Sequence, residues 1–373
     1  MTYFSFLIDP IYRPSAFSEM TLRIFEEAAN QGGDFFDCQR TLSKIRPGNK
    51  EDWYTEWYAI GEKKEKIAED SLKDGHEVSA RQAFMHAYNY YRLSYFYMSN
   101  KDERKKGTYL KGYNAFKKAA ALLSPKPEYI EIPYQGKKLE GIFFPASVTE
   151  PAPLLIFIGG IDGQKEEAYF VGVQEMQQRG IHVLAIEGPG QAGALILEQI
   201  PVIADYEKPV GLFIDRMSGY ENVDKRRIGI LGRSFGGYIA PRAAAFDERI
   251  KACVVWGAYF DMYENIEPRA VDLNEAFKEM MMIEDDQQFA QEARKYSLDG
   301  IVEKIKCPLL IVHGAADPMT PAWNAERTYE QAKCEKTLKM FKLGEPGAGH
   351  CTHDAPSIVF PMIYDWLYDK FRK

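Results

Sequence analysis

No stretch of this chain approaches the ~20 consecutive apolar residues that span a bilayer. Its opening run, Met1 to Arg13, lacks a basic leader and is broken at Asp9-Pro10, which predicts neither a secretory leader nor a membrane anchor. Positive charge is also in short supply: 47 Lys and Arg against 54 Asp and Glu leave a net charge of −7. With no basic cluster carrying interleaved aromatics, that balance argues against a nucleic-acid partner. Cysteines number five (Cys38, Cys253, Cys307, Cys334, Cys351), scattered and without a C-x-x-C pair. This scatter suits reduced thiols in a cytoplasm better than a disulfide framework or a zinc site. Cys351 adjoins His350, but that relation reads as sequential only. His76, His86 and His182 have no acid or cysteine at ligand spacing, so each reads as structural, and no metal or cofactor is expected.

What is present begins at Ile228. The apolar run Ile228, Ile230, Leu231 ends in Gly232-Arg233-Ser234-Phe235-Gly236, and Gly237 opens a helix-compatible segment. Strand, G-x-S-x-G turn and helix are the context of a nucleophile elbow, which holds a serine hydroxyl exposed where a base can take its proton. Without a Cβ at Gly232 and Gly236, strand and helix can cross close to the serine.

Two later strands end in candidate partners. Cys307–Val312 leads to His313-Gly314-Ala315-Ala316-Asp317, and Thr337–Phe341 leads through a glycine-rich loop to Gly349-His350. Asp317 lies 83 residues beyond Ser234, and His350 a further 33. The order Ser, acid, His is that of α/β hydrolases, not of chymotrypsin or subtilisin. Asp317 before Pro318 is also ordinary turn chemistry, but its place at a strand's carboxyl end favours a site role. His353 competes with His350, and the glycine-rich approach Gly344–Gly349 favours His350. His313 reads as a strand terminus. For an oxyanion hole, one N–H comes from Phe235 and a second from the loop Gly159-Gly160-Ile161-Asp162-Gly163 after the strand Pro153–Ile158; Gly160 is the first choice and Ile161 the next.

Hydrophobic content of 46% and charged content of 27% over 373 residues suit a soluble protein of about two domains. Up to Leu123 the pattern is helical, with Lys50–Leu72 (Trp53, Trp57 and Ile60 on one stripe), His76–Met98 and Lys105–Leu123, and Ser15 as a candidate cap. Beyond Ser124-Pro125-Lys126-Pro127, strands alternate with helices: a hairpin of Tyr129–Tyr134 and Leu139–Phe144, the runs already named, Ile181–Glu187 and Ile250–Trp256. A helix-like stretch, Lys165 to Arg179, follows the oxyanion loop. The pattern predicts a doubly wound, mostly parallel sheet over 126–373, with an all-helical domain over 1–125 and a helical insertion over 259–304 near the site.

With these residues in place the chain resembles the α/β-hydrolase superfamily. Within it the chain is similar to the group of 2,6-dihydroxypseudooxynicotine hydrolase, the fungal polyketide-shortening hydrolases of pigment pathways and the fermentation–respiration switch proteins. The carriers are Gly159-Gly160 with Lys165-Glu166-Glu167, then Glu187-Gly188-Pro189-Gly190-Gln191, Gly232–Tyr238, Trp256-Gly257 and His350-Cys351-x-His353. Two departures stand out: Ile158-Gly159 replaces a His-Gly, and the run at 187 has glutamate for aspartate and Ala192 for glycine. The resemblance implies Ser234, Asp317 and His350 as a triad, a helical cap over the site, and carbon–carbon bond cleavage in aryl ketones or β-dicarbonyl compounds among relatives. Most of the helical domain's aromatics read as core, with Trp53, Trp57 and Tyr91 as candidates for a substrate wall. Asp261, Glu264 and Glu267 are candidate acids in the insertion. The expectation is a cytoplasmic serine hydrolase of a small carbonyl compound, with acyl transfer or a non-catalytic binding role as alternatives and a homodimer open as its assembly.

Overall fold

The computed structural model describes residues 16–266 and 273–372. Glu267 and Ser15 lie outside the described residues. The chain divides into two compact units, residues 1–127 and 128–373.

The first unit is helical: α1 (Ala16–Glu27), α2 (Phe35–Leu42), α3 (Lys50–Lys73), α4 (Glu77–Ser94) and α5 (Glu103–Ala120). Side-chain caps start three of these helices: Asp34 accepts from Asp37 N, Asn49 from Glu51 N and Asp52 N, and Asp102 from Arg104 N. Helix α3 buries Trp53, Trp57, Gly61 and Ala68, a single stripe at helical spacing. At Gly61 a Cβ would stand 2.9 Å from the ring of Tyr91, so the glycine sets how closely α3 and α4 approach. Helix α4 is buried without interruption from Ala83 to Ser94, so its polar residues must be satisfied internally. Arg92 and Asn89 do this by converging on Oε2 of the buried Glu27, at 2.5 and 3.0 Å.

The second unit is built on an eight-stranded sheet ordered β1-β2-β4-β3-β5-β6-β7-β8. Its strands are β1 (Glu128–Tyr134), β2 (Lys137–Phe144), β3 (Ala152–Ile158), β4 (His182–Ile186), β5 (Val223–Arg233), β6 (Ile250–Trp256), β7 (Leu309–Gly314) and β8 (Lys336–Phe341). The first two form a hairpin, turned by Gln135 and Gly136 at φ of 49° and 74°, and β2 joins β4 antiparallel; all later pairings are parallel. Strands β3 and β4 are buried at every position, as parallel strands covered on both faces must be. Burying one side chain such as Ile156 contributes about 1.5–3 kcal/mol. Edge strand β8 instead alternates half-buried and exposed positions as far as Met340. The helices longer than five residues are α6 (Glu207–Met217), α7 (Gly236–Phe246), α8 (Asn274–Met281), α9 (Asp286–Ala293), α10 (Trp323–Gln331) and α11 (Pro356–Arg372). This is the α/β-hydrolase fold.

One expectation needs correction. Residues 165–179 form a short 3-10 turn, a π-type turn and a five-residue helix instead of one continuous helix. The break falls at Gly172, where a Cβ would run into the ring of Tyr364 on α11. Close packing of α11 thus overrides the local helical pattern. Among the described residues, no helix is long and apolar enough to cross a membrane.

Candidate active site

Strand β5 delivers the serine. Ser234 sits between β5 and α7 at φ 58°, a left-handed conformation that strains a residue with a Cβ. Neighbouring backbone holds it there: Ser234 N donates to Trp256 O at 2.8 Å, and Gly237 N donates to Ser234 O at 2.6 Å. A Cβ on Gly232 would collide with the carbonyl of Gly236, and one on Gly236 with the carbonyl of Ile158, so the turn takes glycine at both places. The ring of Phe235 stacks on Tyr238 and meets Tyr259 and Phe277 edge-on, each with centroids 5.5 Å away. Phe277 belongs to α8, so the 259–304 insertion packs against the residue that follows the serine.

His350 and Asp317 reach the same point from the ends of β8 and β7. Ser234 Oγ lies 2.9 Å from His350 Nε2, and His350 Nδ1 lies 2.7 Å from Asp317 Oδ2. Since the carboxylate can only accept, Nδ1 carries the proton and Nε2 is left to accept from the serine. Asp317 is fully engaged: Oδ1 accepts from Met319 N and Thr320 N, and Oδ2 also accepts from Thr320 Oγ1, all at 2.8 Å. Burial works against the Asp317 anion, but the charge and hydrogen bond of His350 outweigh it and hold the carboxyl down to about 2. Burial likewise pushes His350 down, yet the Asp317 charge prevails and sets it well above its ordinary value.

The other histidines fall into place by their partners. His313 is buried, with Nδ1 accepting from Ala258 N and Nε2 donating to Thr320 O, both at 3.0 Å. It props the loop that carries Asp317, and burial lowers its pKa. His182 bridges Ala146 N and Asn222 O in the same way. His353 is engaged elsewhere, with Nδ1 at 2.8 Å from Arg233 Nη2. The Arg233 guanidinium in turn lies 4.4 Å over the Trp256 ring. His353→Ala should therefore keep turnover within about tenfold of the parent while lowering stability by about 1–3 kcal/mol, the cost of a buried donor losing its acceptor; parallel melting and steady-state assays check both.

Cys351 requires a second correction. Its thiol lies 3.4 Å from His350 Nε2, a spatial contact as well as a sequential one. Cys351 and Thr352 stand at φ 46° and 53°, and this bend brings the thiol back to the histidine's Nε2. Sequence spacing cannot show it, because it depends on the left-handed bend.

Gly160 lies against the serine: a Cβ there would be 3.0 Å from Ser234 Cβ. Ile161 follows it, half-buried and packed on the main core. The loop is tied to the turn after β4. Gln191 is buried; its Oε1 accepts from Gly188 N at 2.9 Å, and its Nε2 donates to Gly159 O at 3.0 Å and Gly160 O at 2.7 Å. Beside it, Glu187 Oε1 accepts from Lys165 N and Nζ at 3.2 Å, and Oε2 accepts from Gly193 N at 3.0 Å. Burial pushes the Glu187 carboxyl up to about 7 against the Lys165 charge. Neither Gln191 nor Glu187 was assigned a role from sequence; the one available signal was polar residues inside a glycine-rich loop at a strand's end.

The candidate wall residues are placed differently. Trp53 and Trp57 are fully buried in the helical unit's core with Tyr90 and Leu93, and Trp53 Nε1 donates to Leu93 O at 2.8 Å. Tyr91 is buried too, its hydroxyl donating to Glu65 Oε2 at 2.7 Å. Glu264 is exposed, and its carboxylate is taken by Arg327 Nη1 at 2.8 and 2.9 Å. Asp261 accepts from Glu264 N at 2.9 Å.

A match to the FrsA-like esterases runs over residues 9–342. The chain belongs to that family. This FrsA-like chain is 34% identical over 265 residues to the alpha/beta hydrolase gkaG of Penicillium citrinum, covering 68% of its own length and 62% of that relative's. It therefore spans less than two thirds of that protein. To the 20-hydroxy-prefusarin hydrolase FUS2 of Gibberella moniliformis it is 29% identical, over 97% of this chain and 98% of that one. The crystal structure of a 2,6-dihydroxy-pseudo-oxynicotine hydrolase is similar at a TM-score of 0.82 and 26% identity, over 93% of this chain and 95% of that one. The chain is an enzyme of the hydrolase type.

Proposed function

We propose that this FrsA-like hydrolase is a serine enzyme in which Ser234 is the nucleophile, His350 the general base and Asp317 its orienting anion. The substrate is a small aromatic or polyketide-like carbonyl compound. The observation that carries this is the continuous hydrogen-bond chain from Ser234 Oγ through His350 to Asp317, at 2.9 and 2.7 Å.

The chemistry follows from that chain. Ser234 Oγ bonds to the carbonyl carbon while its proton passes to His350 Nε2, and the carbonyl oxygen becomes an oxyanion facing Phe235 N–H and the Gly160–Ile161 loop. Collapse of the adduct breaks the bond to the better leaving group, which takes the proton from His350. Water then attacks the acyl-serine, with His350 again as base, and releases the acid. An ester expels an alkoxide; a β-diketone expels a resonance-stabilised carbanion, so one site serves both. The names of the two relatives matched over nearly their full length support a natural-product-like substrate, and the sequence resemblance supports carbon–carbon cleavage. A cytoplasmic setting and a homodimer belong to the same proposal.

Comparing aryl β-diketones with simple aryl esters, each with and without an added alcohol or amine, tests it. Release of a carboxylic acid from a β-diketone, insensitive to the added nucleophile, is the expected result. Product carrying the added nucleophile would make the enzyme an acyltransferase, and no turnover of any carbonyl substrate would leave only a binding role.

A further inference from the structure

Three of the five residues in the loop facing the serine have no side chain to hold it. Its residues Gly159, Gly160 and Gly163 are glycines, so its two candidate oxyanion donors, Gly160 N–H and Ile161 N–H, depend on how two peptide planes are turned. The buried amide of Gln191 reaches both planes, through Gly159 O at 3.0 Å and Gly160 O at 2.7 Å. In a trans peptide the C=O and the following N–H point in opposite directions. Holding the Gly159 carbonyl therefore aims Gly160 N–H away from Gln191, and holding the Gly160 carbonyl does the same for Ile161 N–H. The serine's Cβ lies close to Gly160. We propose that Gln191 is a positioning residue that locks the oxyanion loop's two peptide planes with their N–H groups available to the developing oxyanion. The inference rests on the serine mechanism proposed above.

The lock is itself anchored. Gln191 Oε1 accepts from Gly188 N, which fixes which end of the amide is the donor. Glu187 ties Gly193, on the far side of Gln191, to Lys165, on the far side of the glycine loop. The turn and the loop are thus joined at two points, one at the planes that matter and one just beyond the loop. An acceptor in place of the Nε2 donor would face two carbonyl oxygens and repel both.

Gln191→Glu makes that change at constant shape, and Gln191→Met removes the donor at similar length without adding charge. Both are assayed on p-nitrophenyl acetate beside an aryl trifluoromethyl ketone, which forms a tetrahedral adduct with the serine, and a planar aryl amide as a ground-state ligand. For both variants kcat should fall by roughly 10²–10³-fold, the effect of losing one oxyanion donor. The inhibition constant of the trifluoromethyl ketone should rise by a similar factor, with the aryl amide's affinity within about threefold of the parent. If Gln191→Glu lowers the melting temperature, Gln191→Met below its own transition, normalised by active-site titration, gives the deciding figures. The proposal is overturned if kcat and the ketone's inhibition constant both stay within about threefold in Gln191→Met, or if kcat falls while the ketone binds as before. Failure of the serine mechanism itself shows elsewhere, as an unchanged rate in Ser234→Ala and no titratable serine in the parent.

Discussion

Ser234→Ala is expected to lower kcat on any ester or β-diketone that the parent turns over by about 10⁶-fold, the scale on which removing the nucleophile disables a triad that works as a unit. Phe235 N–H and the Gly160–Ile161 loop remain in the variant, so a residue of about 10³–10⁴-fold over water should survive from oxyanion stabilisation and binding alone. Folding should be spared. Ser234 is held by its backbone contacts with Trp256 and Gly237, and alanine leaves these in place. Cys351 makes the experiment sharper, since its thiol also touches His350 Nε2, at 3.4 Å. If the thiol can serve in the serine's absence, the residual rate will vanish on treatment with a thiol-specific alkylating agent. If Ser234 alone is the nucleophile, that residue will be insensitive to alkylation.

Asp317→Asn should be the next most damaging change, at roughly 10⁴-fold in kcat. An asparagine amide can turn its NH₂ toward His350 Nδ1, which places the imidazole proton on Nε2, where it can no longer accept from Ser234. The pH profile supplies a second signature. His350 must be neutral to act as a base, so activity is present above its pKa and is lost as pH falls through it. In the parent the Asp317 charge outweighs burial and raises that pKa, so the acid limb of kcat/KM should lie above the ordinary histidine value of about 6.5. Without the anion, burial prevails, and the limb of the residual activity should move to lower pH. A limb that stays in place in Asp317→Asn would show that a different group titrates.

Much of this was legible in the sequence because the features are local. Parallel strands buried on both faces leave continuous apolar runs, as in Pro153–Ile158 and Leu309–Val312, and a candidate catalytic residue beyond such a run's end is marked by the glycines around it. Helices α3 and α5 showed through their single buried stripes. The unread parts depend on contacts between distant loops. Gln191 meets Gly159 across 32 residues, and Arg233 meets His353 across 120, with no periodicity in between to betray either. The break at Gly172 answers to Tyr364, 192 positions further on. The aromatic stripe of the helical unit shows the limit of composition: the same spacing that marks Trp53 and Trp57 as amphipathic also buries them completely.

The most direct test of the central claim is intact-mass and peptide analysis of the enzyme quenched during turnover of p-nitrophenyl acetate, or after reaction with a fluorophosphonate. The account predicts one added acyl or phosphonyl group per chain, on the peptide carrying Gly232–Gly237 and at Ser234, absent from Ser234→Ala and slow to form in His350→Ala. A group found on Cys351, or full turnover with no covalent adduct and an unchanged rate in Ser234→Ala, would contradict it.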